Sequence, residues 1–487
     1  MPRQRVLQVT VVLLFLSVLI TPSRRDLFVG DETKYGQVVR EMRATGSFFL
    51  PTLNGAPFTH KPPLHFWMID LLTIPLGVYS TWAFVLPSIL AFGLLLWLMW
   101  RMGGPLAAFV CGTSLLVWGS AQTARMDVAF TALIALGLWQ LQRGKLLWCG
   151  AALGLATLVK GPMAIVIGLV LYLLESLRLH RRPMLRDLLA LLIAAAVPLA
   201  WFIPAVILGG HAYARDVVVK QTVGRAFASW VHQAPPWFYL ERLPLSLFPW
   251  FFLAVAAAVA LWRTQRFLIN WILAVLLPYS LMSSKLDVYM MAMIPAVALL
   301  IAEAVRAGVR WVRAANLIAI ALVLVGAIGG GVKMPHELTS IGGINALIAF
   351  TLVAAVVGLI IAARASLVTS TIVAGAVPIL VLLFVADRLM PVVNGFGSTQ
   401  PLIAVLERQP VPPDDIALYA SPYLWARNLP PRLERVRYVD AAALERSAPR
   451  VIVTARAHAN EIARPLAGYK KVDEVRMIGK WFDVYRR

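Results

Sequence analysis

The chain has 487 residues, 60% of them apolar and only 14% charged, with a formal net charge of +21. A soluble protein of this length needs far more charge to cover its surface, so a soluble fold is excluded. The basic excess falls mostly in short clusters between apolar runs, a pattern that orients helices in a bilayer and argues against a nucleic-acid partner.

In chain order, Arg3 and Arg5 precede the apolar run Val6–Ile20, and Thr21-Pro22-Ser23-Arg24-Arg25 follows without an Ala-x-Ala cleavage site. This reads as an uncleaved signal anchor. A long connection, about Thr21–Tyr79, comes next. Spans are then expected at Thr81–Trp100, Pro105–Ala121, Asp127–Gln142, Leu146–Val159, Gly161–Leu177, Asp187–Leu208 and Pro244–Trp262. The series continues with Phe267–Ser284, Tyr289–Val305, Ala314–Gly330, Asn345–Ala363 and Leu367–Ala386. With the anchor this makes about thirteen transmembrane helices, since roughly 20 apolar residues at ~1.5 Å each cross a ~30 Å hydrocarbon layer. Cys111 and Cys149 both lie in apolar runs, which speaks against a disulfide framework.

The segment Leu64–Val78 is apolar but contains Asp70 and Pro75. With it left out of the spanning set and the N-terminus in the cytoplasm, Arg101, Arg143/Lys145, Arg178/Arg181/Arg182/Arg186, Arg263/Arg266, Arg306/Arg310/Arg313 and Arg364 share the cytoplasmic side. It is therefore expected to lie as a juxtamembrane helix in the outer leaflet. The long connections 21–79 and 209–243 and the tail then emerge on the far side. The expected organisation is a transmembrane domain over 1–389 and a soluble extracytoplasmic α/β domain over 390–487. In the tail, short strands (Ile416–Ala420, Val436–Val439, Val451–Thr454, Phe482–Tyr485) alternate with helical stretches.

The first outer connection is the densest in reactive groups: Asp31-Glu32-Thr33-Lys34-Tyr35, Arg40-Glu41-Met42, Leu53-Asn54-Gly55 and Thr59-His60-Lys61-Pro62-Pro63-Leu64. An acid just past a spanning helix is partly desolvated, which moves its pKa toward that of a useful base. Lys61 precedes two prolines that fix the chain where a lipid phosphate would lie. Asp127 and Lys160 stand at the outer ends of helices, Arg225 and His232 in the second outer connection, and Lys285 and Tyr289 at the entry to a later span. Each has a plainer reading: solvated or helix-terminal acids at Asp31 and Glu32, a local Arg125–Asp127 pair, and a Lys160 that snorkels to the headgroups. His60 and His232 have no set spacing, which leaves a divalent metal open. Glu175 and Glu303 sit beside cytoplasmic arginines as interfacial pairs.

The order Asp31-Glu32, Tyr35, Arg40-Glu41-Met42, Gly46, Leu53-Asn54-Gly55, Lys61-Pro62-Pro63-Leu64 and Trp67 resembles the aminoarabinose transferases that modify lipid A. More loosely it resembles the protein O-mannosyltransferases. Both belong to the GT-C glycosyltransferases. The likeness continues through Leu86-Pro87-Ser88, Arg125-Met126-Asp127, Leu158-Val159-Lys160-Gly161-Pro162, Pro235-Pro236-Trp237-Phe238-Tyr239, Pro249-Trp250 and Ser284-Lys285-Leu286-Asp287-Val288-Tyr289. It covers roughly the first 300 residues. The resemblance implies a GT-C-like fold and a sugar donor linked to polyprenyl phosphate. By position it also implies that Asp31 lies at the catalytic centre with Glu32 as partner and Asp127 as the second loop acid. Lys61 would hold the lipid phosphate, helped by Lys160, Arg225 and Lys285, and Lys34, His60, His232 and Tyr289 would line the cavity. Lys34 stands where the aminoarabinose enzymes usually have arginine, and His60 where they usually have glutamate.

The expected function is transfer of a sugar from the polyprenyl-phosphate donor to a lipid (lipid A-like), glycan or protein acceptor, with membrane lipids as the other partners. A transporter or flippase explains the helices equally well, but not two long connections rich in Asp, Lys and His, nor a folded tail. An O-antigen ligase or polymerase shares the donor but not the Asp-Glu to Lys-Pro-Pro-Leu order.

Overall fold

The computed structural model describes residues 2–224, 232–333, 343–427 and 429–487. They form two compact units. The first comprises the chain up to Ile20, Thr59–His65 and Pro87–Arg388; the second comprises Thr21–Phe58, Phe66–Leu86 and Leu389–Arg487.

The first unit is helical. Among the described residues, seven helices are long and apolar enough to cross a membrane, or up to eight when one bent pair counts as a span. Their outward faces carry large apolar side chains, such as Ile203, Ile207 and Val353, the last 63% exposed. Water penalises such a surface and lipid does not, so the chain is an integral membrane protein.

The count differs from about thirteen because four expected spans form helices of only 15 to 17 residues, Asp127–Gln142, Leu146–Lys160, Met163–Leu179 and Arg266–Leu281, and others are merged or bent. Thr81–Trp100 and Pro105–Ala121 were expected as two spans. Helical structure runs over Thr81–Thr113 with a break at Gly104 (φ 78°), and Leu115–Ala121 follows as a separate short helix. Proline at 105 has no N–H to continue the ladder, and glycine at 104 tolerates the left-handed turn. The expected span Pro244–Trp262 is instead two helices, Phe238–Ser246 and Phe251–Leu261, bent by 110°. The helix Leu185–Arg215 breaks at Gly210 (φ 71°). The helix Leu64–Leu76 has 13 residues and is shorter than any of the seven.

In the second unit, Arg25 is almost fully buried and pairs through both terminal nitrogens with Glu32, which also accepts the Phe28 N–H at 2.8 Å. This fixes the start of the helix Asp31–Thr45, which ends where Gly46, at φ 70°, donates its N–H to Met42 O. Glu41 on that helix accepts from Thr52 Oγ1 (2.7 Å), Asn54 N (2.7 Å) and Gly55 N (3.1 Å). It thereby holds a hairpin of β1 (Thr52–Leu53) and β2 (Ala56–Pro57), whose Asn-Gly turn has both φ positive. Asp70, the anomaly in an apolar stretch, is buried against Arg43 at 3.1 Å.

The tail contributes β3 (Ile416–Tyr419), β4 (Arg437–Tyr438), β5 (Val451–Ala455), β6 (Lys470–Met477) and β7 (Lys480–Arg486), ordered β4-β3-β5-β7-β6. β4, β3 and β5 are parallel, and β7 and β6 run antiparallel to the neighbours they pair with. Leu402, Leu406, Leu418, Val453 and Val484 pack one face. β6 was not anticipated. Its sequence, Lys-Lys-Val-Asp-Glu-Val-Arg-Met, buries only Val475 and Met477, because an edge strand carries charge. Asp483, in the middle of β7, is 3% exposed and accepts from Arg456 (2.7 Å) and Lys471 (2.9 Å), which hold its carboxyl below the usual aspartate range.

Within this unit Gly36 faces the Trp425 ring, where a Cβ would lie 2.8 Å from Cδ1. Only glycine lets the helix approach that closely. Arg427 donates to the carbonyls of Pro22, Ser23 and Arg25, tying the tail to the chain that precedes the helix.

Candidate active site

The helices Asp127–Gln142 and Leu146–Lys160 have 16 and 15 residues and are joined by a tight turn at Gly144 (φ 69°). Two antiparallel helices of nearly equal length return the chain to its starting level. The first residue of one therefore meets the last residue of the other. Asp127 Oδ1 accepts from Lys160 Nζ, and Asp127 Oδ2 from Arg125 Nε at 3.2 Å. Asp127 is 3% exposed, and the Lys160 side chain 9%. The acid at a helix N-terminus and the lysine at a C-terminus also suit the two macrodipoles. So the two plainer readings, a local Arg125 pair and a free interfacial lysine, each hold only part of the truth: one carboxylate serves both cations.

Tyr289 lies in the 3₁₀ segment Asp287–Met293 and puts its ring under Lys160 Nζ, 4.7 Å from the centroid, with Phe130 at 5.6 Å on another side. Tyr279 stacks on Tyr289 with centroids 4.7 Å apart. The ammonium is thus aimed by a carboxylate and an aromatic face together. Lys61, half-buried, lies within electrostatic range of Asp127. So does His65, which is fully buried and hydrogen-bonded to the Ala124 backbone. Lys61, Arg125 and Lys160 all act on the Asp127 carboxylate, a grouping of cations suited to a phosphate.

Lys285 has a different setting. It is 4% exposed, and its Nζ donates to Met282 O and to Ala234 O at 3.1 Å. Burial lowers its pKa below the ordinary lysine value. Its N–H donates to His232 O at 3.0 Å, so Lys285 ties residues 232–234 to the start of the next span, while the His232 side chain is exposed. Arg225 lies outside the described residues. His60 is exposed. Among the described residues, no group of three or more His, Cys, Asp or Glu is placed to hold a metal ion.

In the second unit, Asp31 is the first residue of its helix. It is exposed, and its nearest cation is Lys34, at 3.8 Å. Glu32 next to it is buried, and its oxygens are occupied by Arg25 and the Phe28 N–H. The adjacent acids therefore differ: Asp31 is open to a ligand, and Glu32 holds the fold.

Residues 60–208 match the family model of the dolichyl-phosphate-mannose-protein mannosyltransferases. The undecaprenyl phosphate-alpha-4-amino-4-deoxy-L-arabinose arabinosyl transferase 1 of Pseudomonas fluorescens is 29% identical over 58% of this chain and 54% of its own. The corresponding protein of Pseudomonas aeruginosa (strain LESB58) is 30% identical over 62% and 60%. Against the first of these relatives the chain thus spans about half the length. Crystallised ArnT from Cupriavidus metallidurans, bound to undecaprenyl phosphate, superposes with a TM-score of 0.75 at 18% identity, covering 98% of this chain and 97% of that one. The chain therefore has the fold of that crystallised ArnT and is similar in sequence to the aminoarabinose transferases.

Two groups of this candidate site escaped the sequence reading. Tyr279 sits in the apolar run Arg266–Leu281, where an aromatic reads as packing, and only its stacking on Tyr289 reveals it. His65 follows Leu64 on a helix whose apolar residues hide it. Its one signal was its place just after Lys61-Pro62-Pro63.

Proposed function

We propose that this chain is a membrane glycosyltransferase of the inner membrane. It moves a sugar from a polyprenyl-phosphate-linked donor to a lipid A-like lipid, a glycan or a protein on the extracytoplasmic face. The observation that carries the reading is the buried Asp127–Lys160 pair, set on Tyr289 and joined by Arg125 and Lys61. A largely buried cluster that gathers three cations is a place for a phosphate that gains charge as its bond to the sugar breaks. The relatives are named for a sugar carried on undecaprenyl phosphate, which agrees with that chemistry.

In the proposed reaction an acceptor oxygen attacks the anomeric carbon, the bond from that carbon to the phosphate oxygen breaks, and the polyprenyl phosphate leaves with both bonding electrons. Lys61 and Lys160, with Arg225 from the second long connection, stabilise the departing phosphate. Asp127 orients Lys160, and Lys285 keeps the second connection in register. Asp31 takes the proton of an acceptor hydroxyl, or positions an acceptor that is itself a phosphate. Lys34, His60, His232 and Tyr289 line the substrate space.

The test is reconstitution. Purified protein in lipid discs, supplied with undecaprenyl-phosphate aminoarabinose and lipid A, is expected to give sugar-bearing acceptor by mass spectrometry. A protein that only moves lipid between leaflets gives no product and would end this reading. Orientation is tested separately. Reporter fusions after Gly55, Gly210 and Arg388 are expected on the outer face and those after Arg182 and Arg310 in the cytoplasm. A cytoplasmic signal at Gly210 would mean that Leu64–Leu76 crosses the membrane.

A further inference from the structure

The second unit contains a cavity of about 630 Å³, within the range of ligand sites. One wall is the start of the Asp31–Thr45 helix, with Gly30, Thr33 and Lys34; the other is the tail domain, with Tyr423, Lys480 and Trp481. Arg456 and His458 complete the lining.

The charges around it divide clearly. Arg456 is held by Asp483 and Glu474, His458 pairs with Glu461 at 2.8 Å, and Lys34 lies 3.8 Å from Asp31. Lys480 makes no ion pair among the described residues, at the rim of the cavity. The helix end beside it already carries Asp31 and Glu32, so Lys480 is the cation of this lining left for an anion. Trp481 is 38% exposed, with Arg456 5.0 Å and Arg476 5.8 Å from its ring centre. The part of this indole left exposed beside the arginines offers a flat apolar surface to the polarised C–H bonds of a sugar. Aromatic wall and unpaired lysine together describe a site for a sugar that bears an anion.

We propose that this cavity binds the phosphate-bearing sugar head of the acceptor lipid. The proposal rests on the transferase reading above and deepens it. Trp481 takes the sugar face, and Lys480 and Lys34 take the phosphate. Asp31, three residues before Lys34 on the same helical turn, is an exposed acid beside this lining. One helix end would thus join acceptor recognition to the proposed base.

The test is binding by the full chain in discs of neutral lipid. The probes are a radiolabelled diglucosamine lipid bearing two phosphates and its dephosphorylated counterpart. Lys480→Glu and Trp481→Ala are each expected to weaken binding of the phosphorylated lipid about tenfold, a usual scale for one lost contact. Lys480→Gln should fall between Lys480→Glu and wild type. The dephosphorylated lipid should bind wild type weakly and Lys480→Glu no worse. Undecaprenyl phosphate binding serves as the control for folding and should stay within twofold. Wild-type affinity in both variants would overturn the proposal, as would displacement by inorganic phosphate alone at the same concentration as the lipid. A wild-type protein that binds the lipid but transfers no sugar would sink the transferase reading and leave the cavity standing.

Discussion

Asp31→Asn protein is expected to transfer sugar about 10²-fold more slowly than wild type, or slower still, with the loss in kcat. The substitution keeps the size of the side chain and one carbonyl oxygen but removes both charge and basicity. Asp31 is exposed at the first position of its helix and has only the distant Lys34 as charged neighbour, so the fold depends little on it. Donor affinity should survive, because the cations proposed to hold the phosphate are carried elsewhere in the sequence, at Lys61, Lys160 and Arg225. Glu32→Gln provides the contrast. It breaks a bidentate pair with the buried Arg25, so it should lower the melting temperature of the protein before anything specific to catalysis can be read. The measurement is single-turnover transfer with saturating donor, beside thermal unfolding of each variant. A well-folded Asp31→Asn protein with transfer within a few-fold of wild type removes Asp31 as the base.

Lys61→Ala is expected to lose about 10- to 150-fold in donor use, the equivalent of the ~1.5–3 kcal/mol of one charge-assisted contact to phosphate. Lys61 suits that role better than Lys160 does. Lys160 is bonded to Asp127 and set on the face of Tyr289, so its loss disturbs a buried pair, whereas Lys61 is half-buried and acts on Asp127 at longer range. Lys160→Ala would expose the buried Asp127 carboxylate to an uncompensated site and confound binding with folding. Lys61→Arg keeps the charge and should retain part of the activity. The readout is retention of undecaprenyl phosphate together with the donor KM. Unchanged donor binding in Lys61→Ala would take Lys61 out of the site.

The sequence by itself determined the class of molecule and most of its chemical inventory. A chain with 14% charge and long uncharged runs has to be a membrane protein, because hydrocarbon is the solvent that tolerates such a surface. The tail was legible for a related reason: strand patterns with frequent charge cannot lie in lipid, and β3, β4, β5 and β7 stand where apolar and alternating runs placed them. The motif order also pointed to Asp31, Lys61, Asp127, Lys160 and Tyr289. What the sequence could not give is which of these groups are already engaged. Neighbouring letters such as Asp31 and Glu32 are nearly the same in composition, yet a helix turns each residue about 100° from the last, so one faces solvent and the other the buried Arg25. Helix breaks were hidden in part. Gly104 falls at the boundary expected between two spans and Gly210 just past the end of another, but the 110° bend after Ser246 lies inside an expected span, because hydropathy records burial in lipid, not direction. Only the folded chain decides these things, because pairing charges 33 residues apart, as in Asp127 and Lys160, depends on where two helix ends come to rest.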